Sequence, residues 1–108
     1  MANDVLHQSR ARKAWPILVE RANSKGQCFT YREIGDAIGV HWRAAGLFLS
    51  VIQEKCKKEK WPKLQALAVN ALSRVPGKGY EGDRGKKQHE KEIKQVQAKP
   101  NWPTQAPF

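Results

Sequence analysis

The segment that most constrains the fold runs from Thr30 to Gly46, "TYREIGDAIGVHWRAAG". Glu33 follows Thr30 by three residues, which is the capping-box spacing, in which each side chain satisfies a backbone N–H at the start of a helix. The spacing predicts a helix that begins at Tyr31 and ends at Gly39, because glycine readily adopts the left-handed conformation found after a helix. Two or three residues then separate this helix from the next apolar periodic run. We therefore expect two helices joined by a short turn.

The second of these helices is predicted from about His41 to Lys58. Its apolar residues recur at intervals of three and four, as in a helix that buries one face. The residues expected to face the core are Trp42, Ala45, Leu49, Ile52 and Cys56, and Phe48 lies beside this stripe. The residues expected on the opposite, polar face are Arg43, Gly46, Ser50, Gln53, Glu54 and Lys57.

An earlier amphipathic helix is predicted over about Ser9 to Asn23. Pro16 interrupts this pattern, and proline is tolerated best in the first turn of a helix. We therefore expect the helix to begin near Lys13 or Ala14, with residues 1–12 as a basic lead-in. Its apolar face is expected to comprise Ala11, Ala14, Trp15, Leu18, Val19 and Ala22.

The stretch from Leu64 to Val69 is almost continuously apolar, which favours a short buried strand over a helical turn. The "SRVPGKGYEGD" that follows has the proline and glycines of a turn. Because Arg74 and Lys78 flank Gly77, this turn has the composition of a basic β-wing. Residues 83–108 contain few aliphatic anchors and several prolines, so we expect an extended or flexible tail there. Within it, "RGKKQHEKEIKQVQ" could form a solvated helix, with only Ile93 and Val96 as anchors.

The chain has 108 residues, a net charge of +10 and a pI near 10.0, which suits one small domain that meets a polyanion. The basic excess occurs on both sides of Gly82. Cys28 and Cys56 stand apart, without the spacing of a zinc site, and two free thiols are typical of a reducing compartment. The N-terminus has no apolar run that would suggest a secretory signal or a membrane span. We expect a cytoplasmic protein of a bacterium or a phage-infected bacterium.

A helix-turn-helix needs a short turn with glycine, apolar residues that lock two helices together, and an outer helical face that can enter a DNA groove. The stretch from Ile34 to Leu49 provides these features. Two packed helices joined at a glycine also occur in small helical domains that bind nothing. The residues proposed to lock the helices are Ile34, Ile38, Val40, Ala45 and Leu49.

"FTYREIGDAIG" followed by "RAAG" resembles the DNA-binding domain of the alkylguanine-DNA alkyltransferases and the alkyltransferase-like proteins. The resemblance covers roughly Ala14 to Gly82 and includes "WPKLQALAVN" and "PGKGY" in family order. It implies a winged helix over residues 13–82 that binds the minor groove and rotates a nucleotide out of the stack. Tyr31 would help to rotate the nucleotide, and Arg43 would fill the gap that it leaves.

The sequence departs from this family at two points. The turn between Gly39 and Arg43 is two residues shorter. The family's Pro-Cys-His-Arg, whose cysteine accepts the alkyl group, has no counterpart in "PKLQALAVN". Neither Cys28 nor Cys56 has a neighbouring histidine that could generate a thiolate. We therefore expect no alkyl transfer.

Other catalytic chemistry finds no support in the sequence. The carboxylates of the lysine-rich segments stand singly and not in the pairs that would suggest a nuclease metal site. His7, His41 and His89 are scattered. The glycines of "PGKGYEGDRG" lack the Gly-Lys-Ser/Thr of a phosphate loop. We expect no catalytic residue, metal, cofactor or small-molecule substrate.

Two functions remain open from the sequence. The first is a non-catalytic protein that binds double-stranded DNA through the helix-turn-helix and a basic wing, with a possible preference for damaged or distorted duplex. The residues expected to contact DNA are Tyr31, Arg32, His41, Arg43, Gly46, Ser50, Gln53, Lys57, Lys58, Lys60, Lys63, Arg74 and Lys78.

The second function is a protein-protein interaction module, such as a regulator or inhibitor of a host enzyme, or a homodimer. It would use the apolar residues of the long second helix together with aromatic residues beyond it. Its expected anchors are Leu47, Phe48, Val51, Trp61, Trp102 and Phe108.

Overall fold

The computed structural model describes residues 2–77 and 85–108, and within these residues the chain is mainly helical with one small sheet. This confirms the predicted class, mainly α with a small β element. No helix of the described part is both long and apolar enough to cross a membrane. The elements in chain order are α1 (Ala2–Ser24), β1 (Phe29–Thr30), α2 (Tyr31–Ile38), a first 3₁₀ helix (Trp42–Ala44), α3 (Ala45–Glu59), a second 3₁₀ helix (Leu64–Leu67), β2 (Ala68–Val69) and α4 (Lys86–Ala98).

Helix α1 is longer than the sequence suggested. It begins at Ala2, so the expected start near Lys13 was wrong, and the basic lead-in belongs to the helix. Pro16 lies inside the helix on its exposed side, where water can hydrogen-bond the carbonyl that loses its N–H donor. The apolar face of α1 was predicted correctly, because all six of its residues are buried: Ala11, Ala14, Trp15, Leu18, Val19 and Ala22.

Helix α3 packs its predicted stripe against α1 and the second 3₁₀ helix. The buried members of that stripe are Ala45, Leu49, Ile52 and Cys56, and Phe48 beside it is buried too. Trp42 was expected in the same stripe but precedes α3, in the first 3₁₀ helix, and is exposed. Gln53 was expected on the polar face, and it is buried.

The sheet is a single parallel pair in which Phe29 aligns with Ala68 and Thr30 with Val69. The stretch from Leu64 to Val69 holds both of the alternatives that the sequence left open, a helical turn followed by a strand. A wing is an antiparallel hairpin, which this parallel pair does not form. The turn predicted to form the wing falls largely on residues 78–84, outside the described residues, so the wing stays a prediction.

The C-terminal segment is not the expected flexible tail, although a helix was one of the alternatives that the sequence left open there. It contains α4, which buries Val96 and also two polar side chains. His89 Nε2 donates a hydrogen bond of 2.8 Å to the carbonyl of Ala66, and Glu92 accepts one of 3.0 Å from Lys63 Nζ. The small number of aliphatic residues in this segment did not predict that it packs. Its polar side chains also contribute, because they find hydrogen-bond partners in the buried interface.

An aromatic cluster fastens the segment after α4 to α1. Trp15 lies at the centre, with ring centroids 6.2 Å from Trp61, 6.0 Å from Trp102 and 5.8 Å from Phe108. The indole N–H of Trp15 donates to the carbonyl of Pro103 at 2.8 Å. Trp102 is only 4% exposed. Trp102 therefore belongs to the core, and its expected role as a free anchor for a partner was wrong. Trp61 and Phe108 pack against the core but stay partly exposed, so their role as anchors stays a prediction.

Candidate nucleic-acid interface

The start of α2 is fixed by the capping box that the sequence predicted. The backbone N–H of Glu33 donates to Thr30 Oγ1 at 3.1 Å, and the backbone N–H of Thr30 donates to Glu33 Oε1 at 2.8 Å. This backbone hydrogen bond lowers the pKa of the Glu33 carboxyl. The cap sets the first turn of α2, which carries Tyr31 and Arg32.

A tight turn then leads from α2 towards α3. Gly39 ends α2 with φ of 74°, in the left-handed region. Gly35 allows the turn to fold back onto α2, because a Cβ there would lie 2.7 Å from the backbone oxygen of Val40. His41 then caps the first 3₁₀ helix, its Nδ1 accepting from the backbone N–H of Arg43 at 3.1 Å. His41 therefore has a role in folding that the sequence did not reveal.

The first 3₁₀ helix displays Trp42 at the surface. Its side chain is 43% exposed, and its ring centroid lies 5.5 Å from that of His41. The guanidinium carbon of Arg43 lies 5.6 Å from the centroid of the Trp42 ring, within the range of a cation–π contact. An exposed aromatic face beside an exposed cation is thus held immediately before α3.

The loop of residues 70–77 forms the facing wall. The backbone N–H of Asn70 donates to the carbonyl of Val75 at 3.0 Å, and that of Arg74 donates to the carbonyl of Asn70 at 2.9 Å. The loop is tied to α2 where the backbone N–H of Gly77 donates to Tyr31 Oη at 2.6 Å. Gly77 packs closely against Asn70 and Tyr31. A Cβ at Gly77 would lie 3.1 Å from Asn70 Nδ2 and 3.3 Å from Tyr31 Oη.

Two adjoining cavities open between these walls, and together we call them the α2 groove. The larger has a volume of about 590 Å³ and the smaller about 330 Å³. Each is within the range of about 300–1,000 Å³ that is usual for binding sites. Tyr31, Trp42 and Asn70 line both cavities. The larger is completed by Thr30, Arg32, Ala71, Leu72 and Ser73, and the smaller by Arg43, Ala45, Gly46 and Gly77.

The charges along the α2 groove have one sign. Arg32 lines the larger cavity and Arg43 the smaller, and neither cavity has an aspartate or glutamate among its described lining residues. Arg74 follows on the same loop, where its Nη2 donates to the carbonyl of Cys28 at 3.5 Å. The groove thus combines aromatic walls with cationic edges, which suits a planar ring attached to a phosphate.

Several predicted DNA-contact residues follow one another along α3, beginning with Gly46, which lines the smaller cavity of the groove. Gly46 faces open space, with no atom near the position of an added Cβ. Ser50 is exposed, and its hydroxyl donates to the carbonyl of Leu47 at 2.7 Å. Lys57 and Lys58 are exposed near the C-terminal end of α3. Lys60 ends α3 with φ of 58° and is also exposed.

Two of the predicted DNA-contact residues, Gln53 and Lys63, have partners within the domain. Gln53 is 8% exposed, and its Oε1 accepts from Gln65 Nε2 at 3.4 Å, so its assignment to a DNA surface was wrong. Lys63 is paired with Glu92 of α4 at 3.0 Å. The Lys63 side chain is 38% exposed, and Glu92 competes with a phosphate for its ammonium group. Lys78 falls outside the described residues.

Sequence reasoning missed Trp42, Asn70 and Leu72 as parts of the groove. Trp42 was assigned to the core because its spacing matches the apolar stripe of α3. Asn70 follows an apolar run. Because asparagine is common in turns, its position there was the signal in the sequence for a loop residue. For Leu72, the signal was an apolar side chain within a segment of turn-forming residues, where no core position is expected.

The thiols offer no activated nucleophile. Burial raises the pKa of Cys56 to about 11, and burial is also the main cause of the raised pKa of Cys28. In the part of the chain that the structure describes, no three His, Cys, Asp or Glu residues are grouped as for a metal ion.

Comparisons with protein-family models, with curated proteins and with solved structures found no match to this chain.

Proposed function

We propose that this protein binds double-stranded DNA without catalysis, through a helix-turn-helix formed by α2 and α3, and that the α2 groove accepts an unstacked nucleotide. The proposal extends the resemblance of "TYREIGDAIG" and "RAAG" to the alkyltransferase-like DNA-binding domain. It includes the winged-helix arrangement, in which the turn around Lys78 forms the basic wing.

The observation that carries the proposal is the side-chain composition of the groove. Tyr31 and Trp42 present aromatic surface to both cavities, and Arg32 and Arg43 lie at their edges. Stacking of a base on an aromatic side chain contributes about 1–3 kcal/mol, and arginine pairs with the attached phosphate. Because no carboxylate lines either cavity in the described residues, a phosphate meets no opposing charge there.

The outer face of α3 extends this surface away from the groove. Open space at Gly46 lets a sugar-phosphate backbone approach the helix closely. Ser50, Lys57 and Lys58 are exposed further along α3. A helix rises 1.5 Å per residue, so the face that holds Gly46, Ser50 and Lys57 follows a strand for about 16 Å. The exposed lysines contribute affinity that does not depend on sequence and weakens with salt.

The absence of catalysis is part of the proposal. Cys56 is buried beneath the apolar face of α3, and its pKa of about 11 keeps the thiol protonated at neutral pH. A protonated thiol is a poor nucleophile. Cys28 is half-buried, and its thiol lies 3.9 Å from the carbonyl of Ala66. Neither thiol lines the α2 groove.

Fluorescence anisotropy with two matched duplexes tests this function. One duplex is fully paired, and the other carries a single unpaired base. We expect micromolar binding that weakens with salt, and tighter binding of the second duplex. Trp42→Ala is expected to abolish the preference for the unpaired base, whereas Leu47→Ala, which removes another exposed apolar side chain, is expected to retain it.

Arg43→Ala is expected to weaken binding of both duplexes and to reduce the log-log salt slope by about 0.9. Lys94→Ala is the control for loss of one charge, because Lys94 is exposed on α4 and lines neither cavity of the groove. Absence of binding at low salt would refute DNA binding. Equal binding of the two duplexes would refute the role of the groove while leaving DNA binding intact.

A second candidate function is docking of a protein partner, and one feature favours it. A groove of about 700 Å³ lies between α1 and α3, with Leu47, Val51 and Phe108 among its lining residues. Leu47 is 51% exposed, and Leu6 is exposed on α1. Phe48, an expected anchor, is fully buried and is excluded. Self-association that Leu47→Asp abolishes, together with absence of DNA binding, would favour this function.

A further inference from the structure

Leu72 is the most exposed large apolar residue in the described chain. Its side chain is 100% exposed, compared with 51% for Leu47 and 43% for Trp42. Leu72 therefore buries no apolar surface, and the hydrophobic core does not require a leucine at this position. Leu72 also lines the larger cavity of the α2 groove, which it shares with Trp42.

A hydrogen-bonded turn presents this side chain. The turn is closed by the backbone bonds from Asn70 to Val75 at 3.0 Å and from Arg74 to Asn70 at 2.9 Å. Ser73 adds further contacts, because its Oγ lies 3.4 Å from both the backbone nitrogen and the carbonyl oxygen of Val75. Arg74 adopts φ of 59°, which is unusual for a residue with a side chain. Leu72 thus projects from a turn with a defined backbone.

The surroundings of Leu72 match the chemistry of a duplex. Arg32 lines the same cavity, and Arg74 lies two residues beyond Leu72 in the loop. Proteins that deform DNA insert an apolar side chain between base pairs while cations hold the adjacent phosphates. The net charge of +10 also favours a polyanion over a second copy of the same chain.

The two cavities define where such an insertion would occur. Arg43 lines one cavity and Leu72 the other, and Tyr31, Trp42 and Asn70 lie between them as lining residues of both. A nucleotide stacked on Trp42 would therefore have a cation on one side and an apolar side chain on the other.

Building on the proposed DNA-binding function, we infer that Leu72 is a wedge that inserts between base pairs and selects duplexes whose stacking is already weakened. A mismatch, an unpaired base or a flexible pyrimidine–purine step opens more easily than a regular duplex. Insertion of the wedge is expected to bend the duplex at the weakened step.

The test compares wild type with Leu72→Ala, using Leu47→Ala as the matched control. The probe is a short duplex with one mismatch, a donor and an acceptor dye at its ends, and 2-aminopurine beside the mismatch. Wild type and Leu47→Ala are expected to raise both the energy transfer and the 2-aminopurine fluorescence. Leu72→Ala is expected to lose both signals and to bind the mismatched duplex roughly tenfold more weakly.

Two further variants separate a wedge from a general surface effect. Leu72→Met is expected to restore the bend and the unstacking, whereas Leu72→Gln, of similar length but polar, is not. Because Leu72 is fully exposed, all three variants are expected to fold, which circular dichroism and thermal melting check.

The outcomes distinguish the wedge from the DNA-binding function on which it depends. Bending and unstacking that persist in Leu72→Ala would overturn the wedge and leave the proposed function standing. Absence of duplex binding by wild type would overturn both. A change from dimer to monomer in Leu72→Ala, measured by sedimentation, would identify Leu72 as a protein contact and would also overturn the inference.

Discussion

The phenolic oxygen of Tyr31 accepts a hydrogen bond of 2.6 Å from the backbone N–H of Gly77. This bond connects the first turn of α2 with the end of the loop that forms the opposite wall of the α2 groove. The same tyrosine ring lines both cavities. Tyr31 therefore holds the two walls together as well as forming part of the surface between them.

Tyr31→Phe tests this connection, because the variant keeps the ring and removes only the hydroxyl acceptor. The backbone N–H of Gly77 loses its partner, so the free energy of unfolding is expected to fall by about 1 kcal/mol in urea denaturation. Preference for a duplex with an unpaired base is expected to fall as well, since the groove is no longer held at one width. Unchanged stability would show that the hydroxyl bond contributes nothing in solution.

Gly46→Ala is expected to separate stability from binding. No atom lies near an added Cβ at Gly46, and alanine is favoured over glycine within a helix by about 0.5–1 kcal/mol. Thermal unfolding is therefore expected to show an unchanged or higher Tm, while the affinity for duplex DNA falls because the added methyl group faces the strand. A variant with unchanged Tm and unchanged affinity would contradict close approach of DNA at this position.

The features that the sequence predicted well depend on residues close together in the chain. The capping box at Thr30 and Glu33 involves one helical turn, and Gly39 ends α2 through its own backbone conformation. The apolar faces of α1 and α3 follow from helical periodicity, and nearly all of the expected positions are buried. Such local signals identified the two helices and most of the core.

The features that the sequence did not predict depend on distant partners or on a change of helix type. Trp42 leaves the stripe of α3 because His41 caps a separate 3₁₀ turn before α3 begins. Gln53 is buried because Gln65, twelve residues later, supplies its hydrogen-bond partner. The tail packs because Trp102 meets Trp15 across most of the chain length. The contacts of Gln53 and Trp102 join distant residues, and the His41 cap, although local, does not alter the apolar spacing from which α3 was predicted.

Lys63→Met tests the reassignment of Lys63 from a phosphate contact to a partner of α4. Glu92 is buried, so loss of the 3.0 Å ion pair is expected to lower the free energy of unfolding by about 1–3 kcal/mol. Lys58→Met is the matched control, because Lys58 is exposed on α3. The control is expected to keep its stability and to reduce the salt slope of DNA binding by about 0.9. If instead Lys63→Met kept its stability and reduced the salt slope, Lys63 would be a DNA contact as first predicted.

Cys56 is expected to make stability depend on alkaline pH. Its pKa is about 11 in the folded protein compared with 9.0 for a free thiol, because burial disfavours the thiolate. The unfolded chain therefore loses its proton first, and the stability that this group contributes is complete below about pH 9 and declines as pH rises towards 11. Between pH 8 and pH 10, the free energy of unfolding measured in urea is expected to fall by about 1 kcal/mol more in wild type than in Cys56→Ala.

A matched chemical measurement checks the same thiol. Iodoacetamide at pH 8 is expected to label Cys56 far more slowly in the folded protein than in urea, since only the exposed thiolate reacts. Equal rates in the two states would contradict the burial that raises its pKa.

The central claim is that the α2 groove holds DNA, and the indole N–H signals in a ¹H–¹⁵N correlation spectrum test it most directly. The indoles of Trp15 and Trp102 donate to the carbonyls of Pro103 and Val96, at 2.8 and 2.9 Å, within the aromatic cluster. Trp42 is exposed in the groove. On titration with a duplex that carries one unpaired base, we expect the Trp42 indole signal to move or broaden while the Trp15 and Trp102 signals stay fixed. A stationary Trp42 signal with shifts at Leu47 and Val51, or no shift at any position, would contradict the claim.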